Sequence, residues 1–436
     1  MFRALFAVLI CALSLPAQVI VLNHATVIDG SGGAPAQDMA IVMAEGRIRD
    51  LGPAANVKIP EGAQVVDVSG KYVIPGIMNL HGHVGVTKGL TQDIAYYTRE
   101  NVDQNLKTYA LYGVTTTTSM GIDSDLILEI RDEQRRGKVS GARVFTALQG
   151  FTALGGYPTK VPGVKGTAQE MASVAQARAR VDQLAEKGAD IAKMWVDTHH
   201  GEYPKISPEI RQAIIEQAHT RRMLAFAHIY ELADAKSLVN AGIDVLAHSV
   251  RDRAVDKDLI DQIKKRNVTY VPTLMRELST YVYSESRLWL DDPFFTKRVD
   301  AATIQGVKTK IKAAQSDPKL IEQGKQDLKM AMRNLRELKA AGVRIAFGTD
   351  TGPPGRFPGV FEHMEMDLLV EAGLTPMEVI VAFSKTAAET LRVQDDFGTL
   401  ARGKAADLIV LNNNPLQNIR NIRSIDAVYL AGRKVE

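Results

Sequence analysis

The chain has 436 residues, 45% hydrophobic and 24% charged, a balance that can bury a large core and excludes a disordered or fibrous polypeptide. Net charge is +3 with both signs interspersed, and no basic stripe is interleaved with aromatics, which argues against nucleic acid as a partner. This length holds two or three average domains, or one large barrel with an appendage.

Arg3 precedes an apolar run over residues 4–15, followed by Pro16-Ala17-Gln18. That is the layout of a secretory signal, and the run is short for a membrane span. Residues 1–18 are therefore expected to be a signal peptide of a periplasmic or secreted protein, with no stable membrane insertion after cleavage. Leu15 fits the cleavage pattern imperfectly. Cys11, the only cysteine, lies inside this segment. The mature chain would then offer neither disulfides nor thiolate ligands, leaving His, Asp, Glu or modified Lys to hold a metal.

Residues 19–73 read as short β-rich runs bounded by Gly and Pro, and residues 398–436 read the same way. Neither segment suffices for a domain, so the two are expected to pair into one small β-sandwich, with His24 structural. A buried strand over 74–80 then runs into His81-Gly82-His83. Residues two apart on a strand share a face, so two imidazoles are offered to one point, and a neutral imidazole suits zinc and similar divalent metals.

Strands and helices alternate from there. Helices are expected at 93–111, 124–136, 168–187, 208–221, 232–241 and 257–265. Strands are expected at 114–118, 142–147, 189–196, 223–228, 243–248 and 268–273, and after a long helical excursion at 343–350. Eight strands in this order predict an α/β fold, a (β/α)8 TIM barrel over 74–397. Such barrels build their sites at the C-terminal strand ends. There the sequence places His81 and His83, Lys193, His228, His248 and Asp350, all able to bind or activate a divalent metal if the lysine is modified. The aromatic segment 278–295 (Tyr281, Tyr283, Trp289, Phe294, Phe295) is a candidate lid, a subunit contact in a homo-oligomer, or packing on the barrel's outside.

The chain resembles the amidohydrolase superfamily of metal-dependent hydrolases throughout residues after the signal. The resemblance is carried by Pro75-Gly76 with His81-Gly-His83, Gly188-Ala-Asp-Ile-Ala-Lys193, His228, Ala241-Gly-Ile-Asp244 with His248, Phe347-Gly-Thr-Asp350-Thr, and Gly398-Thr-Leu-Ala-Arg-Gly-Lys-Ala-Ala-Asp407. It is most similar to the branch of imidazolonepropionase and the metal-dependent Xaa-Pro and Xaa-Arg dipeptidases. The resemblance implies one metal on His81, His83 and Asp350 and a second on His228 and His248, zinc first among candidates. It also implies a bridging carbamate formed by carbon dioxide on Lys193. An unmodified ammonium paired with Asp350 is the one-metal alternative. Metal-activated hydroxide would attack a carbonyl, with Asp350 relaying the proton to the leaving amine.

By the same resemblance Tyr230 touches a small-molecule substrate. Tyr157 stands where related dipeptidases carry the histidine of Gly-Gly-His, and it is a candidate to polarise the carbonyl. Arg251 is either a grip for a carboxylate or a solvated surface residue. His199 and His200 can line the pocket without being assigned metal; His219 is structural, and His363 at best supports the site from behind. The implied activity is hydrolysis of a dipeptide or N-acyl amino acid. The alternatives are a hydrolase of cyclic amides or lactones, and a non-catalytic scaffold of the same fold.

Overall fold

The computed structural model describes residues 18–284 and 288–436, without the side chains of residues 288 and 289. Nearly all of the expected signal segment lies outside the described residues, as do residues 285–287 and the Trp289 side chain of the aromatic segment. Among the described residues no helix is long and apolar enough to cross a membrane.

The first five strands are β1 (Ile20–Val27), β2 (Ala36–Ala44), β3 (Arg47–Pro53), β4 (Gln64–Asp67) and β5 (Tyr72–Pro75). They join three strands from the far end of the chain, β17 (Leu408–Leu411), β18 (Ile425–Leu430) and β19 (Arg433–Lys434), in one eight-stranded sheet. β5 is the splice, parallel to β1 on one side and antiparallel to β17 on the other. Period-2 alternation gives this sheet two apolar faces. Ile20, Leu22, Ile41 and Met43 pack with Leu408 and Val410, while Val21, Ala40 and Val42 pack with Val57.

The expected strand over 74–80 is divided at Gly76: Pro75 ends β5, and β6 (Ile77–Gly82) begins a parallel array. A Cβ at Gly76 would sit 2.1 Å from Thr115 Oγ1, so only glycine lets the backbone pass from one sheet to the next here. A two-residue hairpin, β7 (Thr87–Lys88) with β8 (Thr91–Gln92), follows. Then come α1 (Arg99–Leu111), β9 (Val114–Ser119), α2 (Leu126–Arg135), β10 (Arg143–Thr146), β11 (Phe151–Ala153) and β12 (Gln169–Met171). The alternation continues through α3 (Val174–Lys187), β13 (Ile191–Val196), α4 (Pro208–Thr220), β14 (Leu224–Ile229), α5 (Leu232–Ala241), β15 (Val245–Ala247), α6 (Lys257–Arg266) and β16 (Thr269–Val271).

Capping sets the helix ends. Ser173, Ser207 and Asp256 accept from the third backbone N–H of α3, α4 and α6, and Gly188, Gly242 and Asn267 close α3, α5 and α6 in the left-handed conformation. Two expected helices start later than their apolar pattern suggests. Thr98 caps α1, leaving only a single 3-10 turn over 94–96. Residues 169–171 pair as strand β12 beside β11 before Ser173 opens α3.

Parallel ladders run β6–β9–β10 and β11–β13–β14–β15–β16, and Asp190 N–H donates to Thr146 O between the two groups. The expected eighth strand, 343–350, forms no ladder. It is an extended run held by bridges from Ile345 to Tyr270 and from Thr351 to Gly82, with hydrogen bonds Leu80 N–Phe347 O and Asp350 N–His81 O. Asp350 is in the left-handed region (φ 63°), which breaks the repeating pattern a ladder needs. Met78, Leu80, Ile191, Leu224, Phe226, Val245, Val271 and Ala346 form one apolar cluster. The residues alternating with them face the helices in a much larger one.

Beyond β16 lie α7 (Leu274–Leu278), the short helices α8 (Pro293–Thr296), α9 (Ala301–Gly306) and α10 (Lys312–Ala314), the long α11 (Pro318–Ala340), and α12 (Val360–Glu371). The described part of the aromatic segment packs on the loop before α12. Tyr283 donates its hydroxyl to Gly355 O, and Phe295 lies 5.1 Å from Phe357.

Candidate metal centre

Lys193 continues the inward face begun by Ile191, and His228 continues that of Leu224 and Phe226, so period-2 alternation alone aims both side chains inward. The register of β6 slips between Asn79 and Gly82, so simple alternation is not what aligns His81 with His83. Both nevertheless reach Asp350 Oδ1, at 3.5 Å from His81 Nε2 and 3.0 Å from His83 Nε2. Lys193 Nζ lies 3.3 Å from His81 Nε2. The His248 ring sits 4.6 Å from His81 and 4.3 Å from His228. All six residues are buried. The structure thus brings His81, His83, Lys193, His228, His248 and Asp350 to one place.

Burial dominates the electrostatics. It brings the Lys193 ammonium down to about 7, against the pull of Asp350, and the His228 imidazole down to about 3 despite Asp197. The rings of His81 and His248 are held neutral by burial and neighbouring positive charge. Burial works to raise the Asp350 carboxyl, but Arg356, His83 and His81 outweigh it and keep the group ionised.

The donor set fits a divalent cation. His248 Nδ1 is fixed by Thr273 Oγ1 at 2.6 Å, while its buried Nε2 has no hydrogen-bond partner; His81 Nδ1, His83 Nδ1 and His199 Nε2 are likewise unpartnered. Buried polar atoms are seldom left so, and several imidazole nitrogens in one cluster are suited to a metal. Two groups have ligand atoms within 4.8 Å of one another: His81, His248 and Asp350, and Asp197, His199 and His228. The first draws His248 toward His81 and Asp350 rather than toward His228 alone. The second contains two residues not foreseen as ligands. Asp197 Oδ2 lies 2.8 Å from His228 Nε2, and its Oδ1 accepts the His199 backbone N–H. Asp197 follows Lys193 by four on the same face, so the alternation that found the lysine could have found it.

Behind this cluster a buried network holds the strand ends. Glu362 accepts from Asn79 Nδ2 (2.7 Å), Thr349 Oγ1 (2.7 Å), Thr351 Oγ1 (2.6 Å) and Gly359 N. Asn79 Oδ1 accepts the His81 N–H, and Tyr109 hydroxyl meets Thr351 Oγ1 at 2.7 Å.

Tyr157 is half-buried with its ring 4.0 Å from His199 and 6.0 Å from His228. Burial and then Asp350 push its hydroxyl up, so it stays protonated. His200, next to His199 on the loop after β13, is exposed and its ring lies 5.1 Å from Tyr230. The Tyr230 hydroxyl donates to Asp327 Oδ1 on α11 at 3.0 Å, so it is committed to a protein partner. Arg251 is not a solvated surface residue, and its buried Nη2 has no hydrogen-bond partner. It is 3% exposed, with Nη1 on the carbonyls of Ile229 and Ser249 and Nε 3.1 Å from Glu277, its guanidinium stacked on Tyr230 at 4.6 Å.

Two arginines absent from the sequence reading also act on the cluster. Arg356 Nη1 meets Asp350 Oδ2 at 2.5 Å, and the charge of Arg276 acts on Tyr157, Asp197, His199 and Asp350. Arg276 sits on the five-residue helix α7, too short to show a periodicity, and Arg356 on the irregular loop before α12. The remaining histidines lie elsewhere: His24 pairs with Asp38, His219 with Asp244, and His363 donates to Tyr112 O.

Residues 72–435 match the family model described as the amidohydrolase family. A curated ochratoxinase from Aspergillus niger is 27% identical over 228 residues, covering 52% of this chain and 40% of that protein. The alignment thus spans less than half the length of that relative. Among solved structures, a candidate prolidase from Bifidobacterium longum is 25% identical with a TM-score of 0.78, covering 96% of this chain and 94% of that one. A Xaa-Pro dipeptidase with bound methionine in its active site is 22% identical with a TM-score of 0.77, covering 96% and 99%, and shows likeness of fold.

Proposed function

The chain belongs to the amidohydrolase family, metal-dependent hydrolases of carbon–nitrogen bonds, and from that premise we propose that it is an exported, binuclear enzyme cleaving the amide bond of a dipeptide or N-acyl amino acid. The observation that carries this reading is the convergence of five buried nitrogen ligands with Asp350, several of their ring nitrogens left without a partner. The architecture that goes with it is a (β/α)8 barrel over 74–397, closed through the bridged run 343–351, with a β-sandwich from 19–73 and 398–436. Export rests on the apolar run after Arg3.

His81, His83, His228, His248 and Asp350 would hold two divalent metals, zinc first, with Lys193 between them as its carbamate. With its pKa brought down to about 7, the buried Lys193 amine has a substantial neutral fraction at neutral pH, so its lone pair can attack carbon dioxide, losing a proton as the carbamate forms. When bound, the metals supply Lewis acidity and lower the pKa of water towards neutrality.

The chain's own groups do the rest. Asp350, held ionised by Arg356 and the two histidines, accepts a proton from the attacking water and delivers it to the leaving nitrogen. Tyr157, kept protonated by burial, donates to the carbonyl oxygen as charge develops there. Asp197 holds the His228 ring. Tyr230, tied to Asp327, presents its ring rather than its hydroxyl to the substrate.

The test is metal-loaded protein against a mixed library of dipeptides, N-acyl amino acids, cyclic amides and lactones, read by mass spectrometry. Release of free C-terminal amino acids is expected, with Asp350→Asn slowing it about 10²–10⁴-fold. Cleavage confined to the rings would replace the substrate class. Two bound metals with no turnover of any amide would remove the proposal.

A further inference from the structure

We infer that Glu365 is a positioning residue for His248: it caps α7 from the neighbouring helix α12, and so frees the Thr273 hydroxyl to hold the His248 ring. This rests on the reading of His248 as a metal ligand and adds the groups that aim it.

Thr273 stands at the start of α7, where a threonine ordinarily turns its hydroxyl onto the first backbone N–H groups of its own helix. Thr98 does this for α1 from an extended backbone (φ −114°), accepting the Asn101 N–H. Thr273 does not. It is in the left-handed region (φ 45°, ψ 50°) and makes no side-chain cap bond to α7. Its hydroxyl lies instead 2.6 Å from His248 Nδ1. For a β-branched residue that backbone is a genuine outlier, kept only where neighbours enforce it.

Contacts on both sides enforce it. On the side of β16, Ser249 Oγ donates to Pro272 O at 3.0 Å. On the side of α7, Glu365 reaches across from α12. It accepts the Leu274 N–H with Oε1 (2.9 Å) and the Met275 N–H with Oε2 (2.5 Å). These are the first two N–H groups of α7, donors that a helix leaves unpaired at its start. Leu274 and Met275 are fully enclosed. Without Glu365 their N–H groups would be buried with no partner, and the Thr273 hydroxyl would be drawn back to them, away from His248.

The ring feels the consequence. A hydroxyl that accepts the Nδ1 proton leaves Nε2 as a bare lone pair, and Nε2 is the buried His248 atom without a partner. Burial, with Glu362 and Glu277 nearby, raises the Glu365 carboxyl against its two N–H donors. A carboxyl kept under that penalty between two helices serves a purpose that an apolar residue would not. Glu362, three residues earlier on α12, acts separately. It bonds Thr349 and Thr351 on either side of Asp350 and, through Asn79, the His81 backbone. One helix therefore aims the cluster by two routes, Glu362 toward His81 and Asp350, Glu365 toward His248.

The experiment uses the full chain. Nitrogen NMR of histidine-labelled, metal-free protein reads the His248 tautomer, and chelator competition with zinc reads metal affinity. The wild-type ring is expected to carry its proton on Nδ1. Glu365→Gln keeps the size but offers one acceptor to two donors, and Thr273→Val keeps the shape without the hydroxyl. Each is expected to mix the tautomers and to weaken the metal at His248 about 10–100-fold. Because the two residues act in series, the double variant is expected to match the more severe single one within about twofold. Thr273→Ser is expected to stay near wild type. His363→Gln, on α12 but outside this chain of contacts, is expected to lower stability and leave metal affinity unchanged. Should Glu365→Gln not fold, Glu365→Asp, which retracts the carboxyl by one methylene, takes its place in the series. A wild-type tautomer and affinity in Thr273→Val, additive losses in the double variant, or an equal loss in His363→Gln would each overturn the inference. A wild-type chain that takes up no metal would remove the hydrolase reading, while the tautomer series would still decide whether Glu365 positions His248.

Discussion

Lys193 and His228 were legible because each continues an apolar strand by an even step, and even steps on a strand conserve direction. Asp197 obeys the same rule and lies four residues past Lys193, yet an aspartate just past a strand end reads as an ordinary loop residue until its 2.8 Å contact with His228 is seen. Arg276 and Arg356 were not legible, since neither belongs to a repeating pattern. His363, next to Glu362 on α12, has its ring committed to a backbone partner rather than to the cluster. Its ring donates to Tyr112 O at 2.8 Å, and burial, against that hydrogen bond, holds it down to about 3 from 6.5. The unfolded chain therefore takes up a proton between pH 6.5 and about 3 that the folded chain refuses, and stability falls as pH drops through that window. Each pH unit is worth about 1.4 kcal/mol at most. His363→Gln is expected to be less stable at pH 7 and to lose that slope, measured by urea unfolding from pH 7 to 4. An unchanged slope would assign the acid sensitivity to other groups.

At the scale of elements, the order of strands and helices was readable because capping residues and period-2 runs mark them, and the helix over 232–241 matches α5 to the residue. The two late helix starts were misjudged because the residues ahead of Thr98 and Ser173 are amphipathic enough to extend a helical pattern, while the cap hydrogen bonds decide the boundary. The apolar residues of the run 343–350 predict a strand. Its C-terminal end instead turns sharply so that Asp350 can meet His81 and His83. The loop beyond it is as tightly held. Gly352 has φ 113°, and a Cβ there would fall 2.2 Å from His83 O. Gly352→Ala is expected to destabilise the fold by about 3 kcal/mol and to lower bound metal by displacing His83, measured by chemical denaturation and elemental analysis. Normal metal content in a stably folded variant would show that His83 is not positioned through this contact.

At the scale of the whole molecule, the two ends of the chain were expected to meet, and they do so in one sheet joined at β5, although its branching through β1 follows from long-range pairing that no local pattern announces. Arg143 on β10 and Asp407 beside β17 tie the parallel array to that sheet with a partly buried ion pair at 2.8 Å. Asp407 also accepts the Ala431 N–H. A double-mutant cycle with Arg143→Met and Asp407→Asn is expected to give a coupling of about 1–2 kcal/mol in unfolding free energy. A value near zero would mean that apolar packing of Ile74, Ile409 and Leu411 with Ile77 and Val114, rather than this ion pair, holds the sheet to the array. The splice at β5 has a temporal side as well. Pro75 pairs with Leu408, a separation of 333 residues (408 − 75). At roughly 5–20 residues per second of synthesis, the slot beside β5 waits roughly 15–70 s for its partner strand to be made. For that interval an apolar strand edge stands open only a few residues upstream of His81, so the nascent chain would need shelter from aggregation until translation is nearly finished.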